Sequence, residues 1–236
     1  MPNAASPPGS NPEFDYKTAV GRKRDDRYSP KALAINRFFN RPLAGLLVRA
    51  LYKTRITPNQ VTVTAFGLAM GGAYFLHLGR AWSFALGGAL AQLSSIIDCA
   101  DGMLARARGQ SSEYGAALDL LLDRVDEFFL LAGAVLGFYA ASGRTGMLIL
   151  GLLGMAGFFL LTTLFYLIKN YRHDAAKGEA AENRAWLMAL LCLFGALNRI
   201  DLGIYVLVVS MAASVLGGII VFFRLRPARA DGPPAA

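Results

Sequence analysis

Residues 98–123 read DCADGMLARARGQSSEYGAALDLLLD, and the reading of this stretch decides the fold. It carries four aspartates between two apolar runs, Asp98 and Asp101 before a short basic break, Asp119 and Asp123 after it. The first two are three apart and the second two are four apart, so on helices each pair shares one face. Arg106, Arg108, Gly109 and the Gln110-Ser111-Ser112 run between them have the composition of a loop. The stretch therefore predicts two antiparallel helices joined by a short basic turn. Both acid pairs lie within about three turns of that turn at ~1.5 Å rise per residue. They converge in a hollow at the loop end of the hairpin.

Outward from the hairpin the chain is apolar. Of its 236 residues 55% are hydrophobic and 17% charged, with mean hydropathy +0.41. That excludes a disordered chain and disfavours an ordinary water-soluble domain, which carries about 25% charge. Apolar stretches lie at 59–79, 82–105, 114–141, 145–169, 185–198 and 201–223. About 20 helical residues cross a bilayer core, and the short fifth stretch can recruit Ala180 to Arg184 by snorkelling. The sequence thus predicts an all-α polytopic membrane protein with six transmembrane helices over 57–225. Trp82 and Trp186 stand at stretch ends, as interfacial aromatic residues do.

The net charge of +8 would suggest nucleic acid in a soluble protein. Here its distribution gives a different answer. Twenty of the 24 Lys and Arg residues fall before the first span, in alternate loops and after the last span, against three in the opposite loops. Arg124 lies inside a span. Basic residues collect on the cytoplasmic side, so both termini are expected in the cytoplasm, in the inner membrane of a cell, with no nucleic-acid partner. Residues 1–29, rich in Pro, Gly, Ser and charge, read as a disordered cytoplasmic tail, and 226–236 as a cytoplasmic tail. Within 30–56, Ile35, Phe38, Phe39, Leu43, Leu46, Leu47 and Leu51 recur at helical spacing among basic residues. This predicts an amphipathic interfacial helix lying on the membrane surface and bent at Pro42. Gly67/Gly71 and Gly133/Gly137 are small-residue pairs that permit close helix contact. His77 and His173 are lone histidines, the first read as packed in a span, the second as solvated. Cys99 and Cys192 read as small buried hydrophobes.

Charged groups inside spans are costly and usually functional. Four clustered carboxylates repel unless protonated or neutralised. Hard divalent cations bound through oxygen, Mg²⁺ or Mn²⁺, answer that need. Pairing with Arg106, Arg108 and Arg124 in a structural network would answer it too. Gly102 and Ala105 share the face of Asp98, and Gly115 shares that of Asp119, leaving room for a ligand beside the acids. Arg106 stands at the mouth, where a guanidinium can grip a phosphate. Metal ions and arginine beside a phosphate are the recurring apparatus of phosphoryl transfer. The competing reading is a divalent-cation transporter using the same aspartates. It calls for acids near the bilayer midplane and for internal repeats, whereas these acids gather toward the basic loop.

The segment fits D-x2-D-G-x2-A-R-x8-G-x3-D-x3-D at every fixed position. In this it resembles the CDP-alcohol phosphotransferase family, and the run 35–62 weakly resembles the inositol-phosphate-transferring branch. The resemblance implies an enzyme that moves a substituted phosphate from a CDP-linked alcohol donor to a hydroxyl acceptor, releasing CMP. The site would open to the cytoplasm and use two Mg²⁺ or Mn²⁺ ions. It implies Asp98, Asp101 and Asp119 as metal ligands and Asp123 as general base and further ligand. It places Gly102, Ala105, Arg106 and Ser112 against the CDP moiety. It also assigns Asn59, Gln60, Val61 and Thr62 to donor binding, and favours a homodimer. Independently, Thr57-Pro58-Asn59-Gln60 has the form of a helix-capping box. Lys169, Arg172 and Arg184 flank one cytoplasmic loop and could hold a phosphorylated acceptor such as inositol phosphate or glycerol phosphate. They also fit ordinary positive-inside charge.

Overall fold

The structure, a computed structural model, describes residues 36–172 and 179–224, with the side chains of 164–186 and of part of the last helix outside that description. It is all-helical over these residues. One π-helical turn, Asn36–Asn40, leads into α1 (Arg41–Leu51). Then come α2 (Pro58–His77), α3 (Ala81–Ala107), α4 (Glu113–Ser142), α5 (Thr145–Arg172), α6 (Glu179–Ala196) and α7 (Ile200–Arg224). Helices α2 to α7 stand where the six apolar stretches predict them. Among the described residues three helical segments, Ala81–Ala107, Glu113–Ser142 and Thr145–Thr163, are long and apolar enough to cross a membrane. The tails 1–29 and 226–236, and His173, lie outside the described residues.

The helix pairs in closest association are α2 with α3 and α4, α3 with α6, and α5 with α7. In lipid such contacts depend on close packing, because the surroundings are as apolar as the helices. Small residues supply it. A Cβ at Gly133 would collide with the Ala73 carbonyl oxygen, and one at Gly137 with that of Leu76. This small-residue pair is therefore spent inside the chain, joining α4 to α2. Gly67 of the other pair faces open space. The main core gathers Ala69, Leu76, Leu130, Leu131, Phe158, Leu161 and Met188 from four helices. A smaller cluster of Ala44, Val48, Val61, Ala100, Met103 and Leu104 joins α1, α2 and the end of α3.

The N-terminal segment departs from expectation in where its helix ends. Helix occupies 36–51, and Tyr52 to Thr57 form a loop. Pro42 lies in the first turn of α1, where the π turn gives way to α-helix. And α1 packs on the protein while exposing apolar residues. Ala44, Gly45 and Val48 are buried, whereas Phe38, Phe39, Leu43 and Leu46 are exposed. Fully buried Asn40 ties the segment to α3. It donates to Ser95 Oγ at 3.1 Å and accepts from Gln92 Nε2 at 2.7 Å. His77 is also not packed: it is exposed on the last turn of α2, and Leu76 takes the buried side. Cys99 and Cys192 are half-buried and form no disulfide.

Candidate active site

The site is built from three helix ends. The first is the start of α2. Thr57 caps it, its hydroxyl accepting from Gln60 N at 3.3 Å, while Gln60 Oε1 accepts from Thr57 N at 2.9 Å. This is the reciprocal capping box foreseen from the sequence, with Pro58 at the first helical position. The second is the end of α3, which stops at a left-handed Gly109 (φ 64°). Gln110 N donates to Ala105 O at 2.8 Å and Gly109 N to Arg106 O at 3.2 Å, the two closing bonds of a Schellman turn. The third is the start of α4, where Ser112 Oγ accepts from Gly115 N at 3.0 Å.

Between these ends lies a cavity of about 310 Å³, within the size of small-ligand clefts, about 300–1,000 Å³. Pro58, Asn59 and Thr62 of α2 form one wall, and Asp101, Gly102, Ala105 and Arg106 of α3 another. Gln110, Ser111 and Ser112 line the mouth, and Gly115, Ala116 and Asp119 of α4 complete the enclosure. A Cβ at Gly115 would stand 3.1 Å from Ser112 Oγ and 3.3 Å from Asn59 Oδ1, so glycine lets these polar groups approach α4. The Arg106 guanidinium folds back over Gly102, 3.2 Å from where a Cβ would be. By contrast, an apolar crevice beside Leu131, Leu187 and Phe194 holds only about 20 Å³, room for about one water.

The four motif aspartates divide. Carboxylate oxygens of Asp98, Asp119 and Asp123 lie within 4.8 Å of one another, all half-buried. Asp101, 5% exposed, is held from the side. The Thr62 hydroxyl has one proton and two acceptors in reach, Asp101 Oδ2 at 2.5 Å and Pro58 O at 3.2 Å. The shorter contact, to the Asp101 carboxyl group, takes it. Asp119 belongs to both groups, facing the cavity and closing the acid cluster.

Of the residues expected at the donor site, Asn59, Thr62, Gly102, Ala105, Arg106 and Ser112 meet around this cavity. Gln60 and Val61 do not. Gln60 spends its amide oxygen on the cap, and Val61 is buried in the small cluster beneath. Lys169 and Arg172 fall on α5 and Arg184 on α6, at positions whose side chains lie outside the described residues. Two of the three arginines that could have paired with these acids have other partners. Arg124 Nη1 pairs with Glu127 Oε2 at 2.5 Å and donates to Thr162 Oγ1 at 3.3 Å. Arg108 reaches backbone carbonyls. Sequence reading missed Gln110, Ser111 and Ala116; a polar pair directly after a helix-ending glycine is the signal that marks the first two.

The donor set fits a hard divalent cation. It is all carboxylate oxygen, and among the described residues no histidine or cysteine joins the group.

Fold and site together define an all-helical protein with membrane-length apolar helices and a polyacidic cleft walled by three helix ends. The model of the CDP-alcohol phosphatidyltransferase family matches residues 55–220. The chain belongs to that family, and is an integral membrane protein. Over 103 residues it is 44% identical to a bifunctional IPC transferase and DIPP synthase of Rubrobacter xylanophilus, covering 44% of this chain and 23% of that one. Over 114 residues it is 36% identical to a phosphatidylinositol phosphate synthase of Mycobacteroides abscessus, covering 48% and 49%. The chain thus spans less than half the length of these curated relatives. Among solved structures, the Mycobacterium tuberculosis phosphatidylinositol phosphate synthase with CDP-DAG bound superposes with TM-score 0.63 at 18% identity, over 76% of this chain and 92% of that one. The same enzyme in complex with manganese and citrate gives TM-score 0.63 at 18% identity, over 76% and 88%. Both share the fold.

Proposed function

We propose that this protein transfers a substituted phosphate from a CDP-linked alcohol to a hydroxyl acceptor, releasing CMP, in phospholipid or phosphodiester biosynthesis. One observation carries the reading: a ligand-sized cavity with Arg106 on one wall shares Asp119 with a cluster of three carboxylates. A cationic grip for phosphate thus adjoins a seat for divalent cations. Asp98, Asp101, Asp119 and Asp123 would hold two Mg²⁺ or Mn²⁺ ions. When bound, such ions neutralise the pyrophosphate and polarise the attacked phosphorus.

The chain's own groups do the rest. Asn59, Thr62, Gly102, Ala105, Arg106 and Ser112 bind the CDP part, while Gln60 and Val61 shape the wall by capping and packing. Asp123 accepts the proton of the acceptor hydroxyl. The new bond joins that oxygen to phosphorus, and the phosphorus–oxygen bond to CMP breaks. Family membership favours transfer over cation transport. The relatives named phosphatidylinositol phosphate synthase support a CDP-diacylglycerol donor and an inositol phosphate acceptor. Lys169, Arg172 and Arg184 hold the acceptor's phosphate. Six spans over 57–225, the segment 30–56 on the membrane surface, both termini and the cleft in the cytoplasm, an inner-membrane location and a homodimer complete the reading. The exposed Phe38, Phe39, Leu43 and Leu46 support the surface placement.

The test is CMP release by the purified protein in detergent with Mg²⁺ or Mn²⁺. CDP-diacylglycerol and CDP-inositol are offered separately, each with inositol phosphate, glycerol phosphate or inositol. Metal-dependent CMP from one pair, absent without acceptor, is the expected result. No CMP from any pair, with Mn²⁺ still bound, would favour the transport reading.

A further inference from the structure

Arg108 reaches back more than fifty residues in sequence. Its Nη1 donates to Ile56 O at 2.5 Å. Its Nη2 meets Leu51 O at 2.5 Å, Thr54 O at 2.9 Å and Tyr52 O at 3.0 Å, and its Nε meets Tyr52 O at 3.2 Å. The last carbonyls of a helix lack intrahelical donors and carry negative partial charge. A guanidinium, flat and with five N–H groups, satisfies several at once. Arg108 is thus spent on four carbonyls at the end of α1 and in the loop after it, and does not line the cavity.

That placement links two walls of the cleft. The gripped loop ends at Ile56, one residue before the Thr57 cap, and Asn59 and Thr62 follow within the first turn and a half of α2. At its other end Arg108 is the C-cap of α3, its N–H bonded to Leu104 O at 3.0 Å, two residues past Arg106. Within the loop, Thr54 bonds Leu51 O at 2.7 Å and Ile56 N donates to Thr54 Oγ1 at 3.3 Å. Those bonds shape the loop, and Arg108 attaches it to α3. We infer that Arg108 is a positioning residue for the donor end of the cavity, fixing the first turn of α2 against the last turn of α3. The inference rests on the reading of this cavity as a CDP site.

The experiment compares wild type with Arg108→Lys and Arg108→Gln in detergent. Lysine keeps the charge and loses the fork, so it should fail to rescue. CDP binding in the presence of Mn²⁺, and the donor KM of CMP release, should weaken about tenfold or more in both variants, as a small misplacement of binding groups does. The acceptor KM, Mn²⁺ affinity and melting midpoint should stay close to wild type. Hydrogen exchange should rise in 52–60 and not in 98–105. Unchanged CDP affinity overturns the inference, whether or not exchange rises. So does rescue by lysine, a uniform loss of all parameters, or failure of both variants to fold. A wild-type protein that binds no CDP refutes the donor-site reading itself, and hydrogen exchange still tells whether Arg108 holds the loop.

Discussion

Replacing Thr62 by valine removes one hydroxyl and leaves the shape of the side chain in place. In wild type that hydroxyl donates to Asp101 at 2.5 Å, with Thr62 6% and Asp101 5% exposed. Water has little access to take over the bond. A hydrogen bond to a charged group contributes about 1.5–3 kcal/mol, so the loss is near 2 kcal/mol, about 30-fold at ~1.36 kcal/mol per decade. In the cation-free protein Asp101 can turn toward the cavity it lines and recover part of this from solvent. With a cation held, the carboxylate is pinned and the deficit remains. Thr62→Val should therefore weaken Mn²⁺ binding by up to about 30-fold, and Thr62→Ser should restore it. The measurement is a Mn²⁺ titration of purified protein, following free Mn²⁺ by electron paramagnetic resonance. Affinity that is unchanged or tighter in a folded Thr62→Val protein would refute the reasoning, because the hydroxyl would then not orient the carboxylate for a cation.

Three further outcomes are expected. Asp123→Asn should lower CMP release by about 10²–10⁴-fold, the usual share of a general base, with CDP binding retained; near-normal turnover rules out the assigned role. Arg124→Met removes the cation paired with the fully buried Glu127 carboxylate and should cost about 3 kcal/mol. The double change Arg124→Met with Glu127→Met should regain most of it in thermal melts, and a single variant melting like wild type would discount the pair. Gly137→Ala drives a methyl group into the Leu76 carbonyl, an overpacking cost of about 1–3 kcal/mol, visible as a lower melting midpoint; no change would mean that α2 and α4 part freely.

Much of this architecture is legible in the chain because its signals are local. Apolar runs mark α2 to α7 to within a few residues, since helix length and hydropathy need no knowledge of neighbours. The capping box at Thr57 and Gln60 is equally local. The convergence of Asp98, Asp119 and Asp123 follows from helix periodicity and one tight turn. What escapes depends on tertiary distance. Asp101 stands apart from the other acids because Thr62, 39 residues earlier, captures one of its oxygens. Arg108 looks like a partner for acids until the loop 52–56 is folded beneath it. Arg124 is visible as a charge inside a span, but its bond to Thr162 requires α5 to lie alongside α4. Val61 reads as part of a donor-binding run, and only packing against Met103 and Leu104 reveals it as core.

The cleft's third wall bears on what could be moved to another scaffold. The signature from Asp98 to Asp123 is one helical hairpin, and transplanted intact it would carry all four aspartates, the arginine and the turn. It would lack Asn59 and Thr62, and with them the hydroxyl that orients Asp101 and the side of the cleft facing it. The smallest portable unit therefore begins at Leu51, where the loop gripped by Arg108 starts, and runs through Asp123, taking in α2, α3 and the first turns of α4. A library search or a chimera built on the hairpin alone would recover the acids without the enclosure that gives them a ligand.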